Sequence, residues 1–264
     1  MSDPTRRPRA DLALWLSLML VAWPSLAAAR TGTAKAPKSA HAAPKAQAPS
    51  DTVTQLARWV ITTDDHSGLP FAIIDKVAAR VFVFRADGRF LGDGPVLLGL
   101  ARGDNSTPGV GDREVAAIPR DERTTPAGRF VASFGAAASD RGVLWVDYPT
   151  AISMHPVDTS NPKERRPQRL SSPTPRDNRI THGCINVSAD FYRKVVRPTF
   201  TGTSGIVYIL PEDRRIQEVF PAFRVLPGVD PAGEFRTAGD LRRPEDSSLP
   251  DAAASATSVG VRAK

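Results

Sequence analysis

From Phe71 to Leu210 the chain is a succession of short apolar runs rich in β-branched and aromatic residues, each bounded by turn signals. Phe71–Ile74, Val81–Phe84, Phe90–Leu91, Val96–Leu98, Arg129–Phe134, Val143–Tyr148 and Gly205–Leu210 are the predicted strands. Asp87-Gly88 supplies a tight reversal between two of them, because glycine accepts positive φ without steric cost. Helices are few. The clearest starts at Ser188, which can cap a turn carrying Asp190 near its positive end, with Phe191, Tyr192, Val195 and Val196 following at helical spacing. Two others are predicted, over Thr52–Val60 and Asp213–Phe220, and no internal repeat is present. The pattern predicts a mainly β domain with a few short helices.

The ends of the chain are of another kind. Hydrophobic residues make up 41% of the sequence, enough for a core, but 24 prolines and 19 glycines against 7% aromatics point to loose segments as well. Residues 30–51 are rich in Ala, Pro and Lys without apolar periodicity and read as a linker, with His41 inside it. Residues 227–264 read as a disordered tail, which leaves 52–226 as the folded domain. Before the linker, Arg6, Arg7 and Arg9 precede an apolar run from Leu12 to Ala22 and then the small residues Ala27, Ala28 and Ala29, the pattern of a cleaved export signal over 1–29. The run is shorter than the ~20 residues that cross a bilayer, so the mature form is expected not to span a membrane. Arg6-Arg7 raises the twin-arginine route, although the residues that follow fit it poorly. The formal charge is +7, but the basic residues are dispersed and not interleaved with aromatics, which argues against nucleic acid. Outside the cytoplasm such a charge suits anionic envelope polymers.

Cys184 is the sole cysteine, so no intramolecular disulfide can form. It stands in Arg179-Ile180-Thr181-His182-Gly183-Cys184-Ile185-Asn186-Val187, where a β-like approach meets a glycine at a bend. A nucleophilic thiol needs help, since at a pKa of about 8.5 only a few per cent is thiolate at neutral pH. The folded domain offers His66, His155 and His182 as bases. His182 is two residues away, where strand alternation would bring both side chains to one face, though the intervening glycine disturbs that geometry. His155 closes the run Ala151-Ile152-Ser153-Met154 and would reach the thiol from a neighbouring strand. The alternatives are a buried inert thiol, an intermolecular disulfide, and a zinc site of His155, His182 and Cys184 with Asp158 or water, for which no paired-ligand spacing exists. Asp64-Asp65-His66 reads as a hydrophilic turn ahead of Gly68 and Pro70.

Thr181-His182-Gly183-Cys184-Ile185-Asn186, preceded by His155, resembles the signature of the YkuD-type L,D-transpeptidases: a histidine, a variable loop, Ser or Thr, His, Gly, Cys, an apolar residue, and Asn or Arg. Thr125-Pro126-Ala127-Gly128-Arg129-Phe130 resembles that family's upstream turn and strand, and Gly205–Leu210 its closing strand, so that the likeness spans roughly 70–212. It implies the family's β-sandwich, Cys184 as nucleophile, His155 as base, and the carbonyl of Pro156 as the group that orients the base. It further implies Thr181, His182 and Gly183 around the pocket, an oxyanion held by N–H groups near Gly183 and Cys184, and Asn186 in a structural place beneath the cysteine. Two features depart from the family pattern. Pro156 stands where Gly or Ser is usual, and the connection 156–181 is longer than the family loop. That connection is basic, and Arg165, Arg166, Arg169, Arg176 and Arg179 are candidates to meet substrate carboxylates.

The resemblance implies acyl transfer on peptidoglycan stem peptides in the cell envelope through a Cys184 thioester, resolved by an amine of a second stem or of a protein, without metal or organic cofactor. A hydrolase with the same pocket and a noncatalytic envelope-binding module are the alternatives.

Overall fold

A computed structural model describes residues 48–135 and 142–226; the predicted signal, nearly all of the linker and the tail lie outside the described residues. Eight strands pair in one sheet: β1 (Phe71–Asp75), β2 (Arg80–Phe84), β3 (Phe90–Pro95), β5 (Gly128–Gly135), β6 (Val143–Asp147), β7 (Ile152–Pro156), β9 (Ile185–Val187) and β10 (Gly205–Ile209), in the order β3-β2-β1-β10-β5-β6-β7-β9. β4 (Leu98–Gly99) and β8 (Arg179–Thr181) form a second, two-stranded parallel sheet. The β1–β10 and β7–β9 pairs are parallel, and every other neighbour in the large sheet is antiparallel.

Strand alternation sorts the apolar residues into two clusters. Ala72, Ile74, Val81, Val83, Ala132, Leu144, Val146, Ile152, Met154, Ile185, Val187, Val207 and Ile209 share one. Members from opposite ends of the strand order meet there, so the sheet is folded over on itself. Leu97 exchanges hydrogen bonds with Asn186 at 2.8 and 2.9 Å, so the chain just after β3 covers the free edge of β9. On the other face, Phe71, Ile73, Phe82, Phe84, Ile206 and Tyr208 form the second cluster with Val53, Leu56, Ala57 and Val60 of α1 (Asp51–Thr63). β1, β2 and β10 are thus buried on both faces, which accounts for their unbroken apolar runs.

Ser50 caps α1 by accepting from the Val53 N–H and donates to Asp75. The Ser188 cap holds, accepting from Phe191 N at 3.1 Å. The helix it starts, α3 (189–200), has a π-type middle section over Tyr192–Val196 and packs Tyr192, Val196 and Phe200 on the first cluster.

The expectation of a mainly β fold with few helices is met, with local corrections. Of predicted Val96–Leu98 only Leu98 is in a strand. The helix predicted over 213–220 shrinks to α4 (Ile216–Val219), because the N–H groups of Glu212, Asp213 and Arg214 are drawn to the Asp104 carboxylate at 2.7–3.0 Å. β7 and β8 stand where the sequence expected the strand of His155 and the β-like approach to Cys184, β9 is an addition, and β7 and β9 carry the candidate site.

Candidate active site

Residues i and i+2 of a strand share a face, so β7 turns Ile152 and Met154 inward and Ser153 and His155 outward. β9 lies beside it in parallel, with His155 opposite Asn186 and Cys184 one residue before the strand. The bend ahead of Cys184 requires glycine. Gly183 has φ 134°, and a Cβ there would stand 2.6 Å from Ile152 Cδ1 and 2.9 Å from Thr124 O.

Two threonines hold this bend. Thr125 Oγ1 accepts from Gly99 N at 2.8 Å and donates to Gly183 O at 2.7 Å. Thr181 Oγ1 donates to Cys184 O at 2.7 Å and accepts from Gly183 N at 3.1 Å. The Gly183 N–H is therefore engaged by the Thr181 hydroxyl.

Cys184 Sγ lies 3.6 Å from both Ser153 Oγ and Ala151 O. The His155 ring, on the neighbouring strand, interacts with it electrostatically. Burial pushes the thiol up, but His155 and the N–H and hydroxyl of Ser153 outweigh it and hold the thiol below its ordinary value. His155 Nδ1 donates to Pro156 O at 2.9 Å, so proline at this position keeps the orienting carbonyl. Burial presses the imidazole down and Arg166 adds to that, whereas Cys184 and the Pro156 carbonyl raise it; the balance lies above the ordinary histidine value. Asn186, with no exposed surface, directs Nδ2 at His155 Nε2 at 3.0 Å.

The remaining candidates separate. His182 is partly exposed beside the bend, and burial followed by the charges of Arg123 and Arg166 lowers its pKa. His66 is buried, with Nε2 on Ala86 O at 2.9 Å and its ring edge-on to Phe71. Among the five arginines, Arg166 reaches the site, its Nη1 donating to Asn186 Oδ1 at 3.0 Å. Arg179 is buried, with its guanidinium bonded to Glu212 at 2.7 Å and to Lys76 O at 2.9 Å. Arg169 is spent within its own loop on Glu164 O and Asp177 O, both at 3.0 Å. Arg165 lines a polar cavity with Arg169, Gln168, Ser172 and Asp177, and Arg176 is exposed. Among the described residues no three His, Cys, Asp or Glu side chains converge as a metal site would need. Sequence reasoning missed Ser153 as a neighbour of the thiol, although its i, i+2 relation to His155 was a usable signal.

No protein-family model matches the chain, and no curated protein matches it. Among solved structures it is similar to the helical cell shape determining protein Pgp2 from Campylobacter jejuni, at 15% identity and a TM-score of 0.37, covering 55% of this chain and 49% of that one. It is also similar to the LD transpeptidase LdtMt1 in complex with imipenem, at 16% identity and a TM-score of 0.31, covering 53% of this chain and 58% of that one. The chain thus spans about half the length of the first and less than two thirds of the second.

Proposed function

We propose that this protein is an exported L,D-transpeptidase that acts on peptidoglycan stem peptides through a Cys184 thioester. The observation that carries the reading is the placing of His155 on β7 beside the bend that bears Cys184, with its Nδ1–H tied to the Pro156 carbonyl. A ring so tied has its lone pair at Nε2, the arrangement that makes an imidazole a general base.

In this reading His155 takes the thiol proton as sulfur attacks the carbonyl at the L-centre of a diaminopimelate residue. The Cys184 N–H receives the developing oxyanion, an interaction worth roughly 3 kcal/mol per donor in comparable sites. The C–N bond to the terminal D-alanine breaks, and the proton on His155 goes to the departing amine. An amine of a second stem, or of a protein, then attacks the thioester, gives a proton to the ring and releases Cys184, which recovers its proton. Support for export is the Arg-led apolar segment with its small residues ahead of Arg30. Among the described residues no helix is long and apolar enough to cross a membrane.

Product analysis tests the reading. Purified protein incubated with a tetrapeptide stem and an amine acceptor is expected to release D-alanine and give the amine adduct, and Cys184→Ala neither. Shortened stems without adduct would assign the chain to the hydrolases, and D-alanine release by Cys184→Ala would remove the cysteine from the mechanism.

A further inference from the structure

Ser153 stands on the outward face of β7, two residues before His155, with Trp145 of β6 opposite it across the strand pair. The residue is buried, with 5% of its surface exposed. A hydroxyl so placed needs a partner, and the partner here is the sulfur of Cys184, 3.6 Å from Oγ. The sulfur has a second neighbour at the same distance, Ala151 O. Ala151 closes the turn after β6, where its N–H donates to Tyr148 O at 3.1 Å, and its φ of 56° is a left-handed value that few non-glycine residues take. These two neighbours differ in what they offer. A carbonyl oxygen only accepts, so it suits the neutral thiol and opposes an anion, whereas a hydroxyl also donates. While the thiol keeps its proton, either atom of the Ser153–Cys184 pair can be the donor. Once the proton has left, sulfur holds only lone pairs and the hydroxyl proton must face it.

We propose that Ser153 is a further catalytic residue: its hydroxyl donates to the Cys184 sulfur whenever that sulfur carries negative charge, and so offsets the burial and the Ala151 carbonyl that oppose the thiolate. In the proposed reaction the sulfur is anionic twice. It becomes so when its proton passes to His155, and again when the second amine expels it from the thioester. Ser153 keeps its own proton throughout and gives only a hydrogen bond, so the thiol proton still goes to the imidazole. Such a bond makes each thiolate less reactive, by about threefold for one unit of lowered pKa, but raises the thiolate fraction nearly tenfold while the thiol is mostly protonated. The donor is therefore a net gain. The titratable and charged groups about the thiol are His155 of β7, Asp158 just beyond it, His182 in the bend, Arg123 on the loop before β5, and Glu164 and Arg166 where α2 (Arg166–Leu170) begins. Replacing Ser153 alters none of these charges, so a change at the sulfur reports the hydroxyl.

The inference rests on the reading of Cys184 as the nucleophile, but its test needs no substrate. Because the chain has a single cysteine, the ultraviolet absorbance of full-length protein minus that of its Cys184→Ala form follows the thiolate against pH. In Ser153→Ala the midpoint is expected to rise by about one pH unit, close to tenfold less thiolate at neutral pH, as the loss of one hydrogen bond to the charged form would produce. Ser153→Thr retains the hydroxyl on a residue suited to strands and is expected to titrate close to wild type. Ser153→Val has the shape of threonine without the hydroxyl, should follow alanine, and serves where the alanine variant does not fold. An alanine or valine midpoint equal to wild type, or a threonine midpoint that rises with that of valine, in protein of unchanged melting temperature, would overturn the proposal. The stem-peptide assay reports separately on the transpeptidase reading, because it follows D-alanine and adducts, whereas the titration follows the sulfur alone.

Discussion

At the scale of single residues, reactivity at Cys184 is a contest between burial, which favours the neutral thiol, and the interactions of His155 and Ser153, which favour thiolate. The interactions win, so thiolate forms at lower pH than in an ordinary cysteine. The rate of carbamidomethylation of Cys184 by iodoacetamide, read by mass spectrometry against pH, is expected to have its midpoint below about 8.5. In His155→Gln the midpoint should move up by about one pH unit or more, as burial acts with less opposition; an unmoved midpoint would separate the two side chains. The run Thr181-His182-Gly183-Cys184 was legible because its elements are adjacent: the glycine that the bend needs, the threonine that ties it, and the thiol are neighbours in the chain. Ser153, 31 residues from Cys184, and Arg166, 20 residues from Asn186, came together through pairing and loop folding that no local pattern records. The pairing of Arg179 with the buried Glu212 carboxylate is another contact of this kind.

Among the elements, the long apolar strands were the readable ones. β1, β2 and β10 bury both faces and therefore show as continuous apolar runs, whereas β8 and β9 have three residues each and merge with the motif between them. The shortness of α4 has a long-range cause. Asp104 accepts the N–H groups of residues 212–214 and holds Lys76 Nζ at 2.7 Å, while Lys76 also donates to Thr125 O at 3.0 Å. This buried network thus ties the loop after β10 to Thr125, whose hydroxyl holds the Gly183 carbonyl. Although burial pushes the Asp104 carboxyl up, its bonds to Lys76 and the three N–H groups hold it below the ordinary carboxylate range. Its contribution to stability is complete above the unfolded value near 3.9 and is lost as pH falls through the lower folded value. Asp104→Asn is expected to cost about 3–5 kcal/mol in urea unfolding at neutral pH, because it leaves a buried ammonium short of its counter-charge. It should also flatten the loss of stability in acid. A variant as stable as wild type would show the network to be dispensable.

Across the whole molecule, division of labour follows from the sheet. One cluster lies inside the folded sheet and the other is closed by α1, while the outward face of β7 and the bend before β9 are free to carry chemistry. Thr125 and Gly183 are the points at which the core meets the site, through Gly99 N on one side and Ile152 on the other. Because Cys184 stands at the rim, replacing it should remove the reaction and leave the fold. The most direct test is intact-mass spectrometry of the mature protein after brief exposure to a tetrapeptide stem, with Cys184→Ala beside it. The account predicts a mass gain in wild type equal to the stem minus D-alanine, and none in the variant. The same gain in both proteins, or in neither while D-alanine is released, would contradict it.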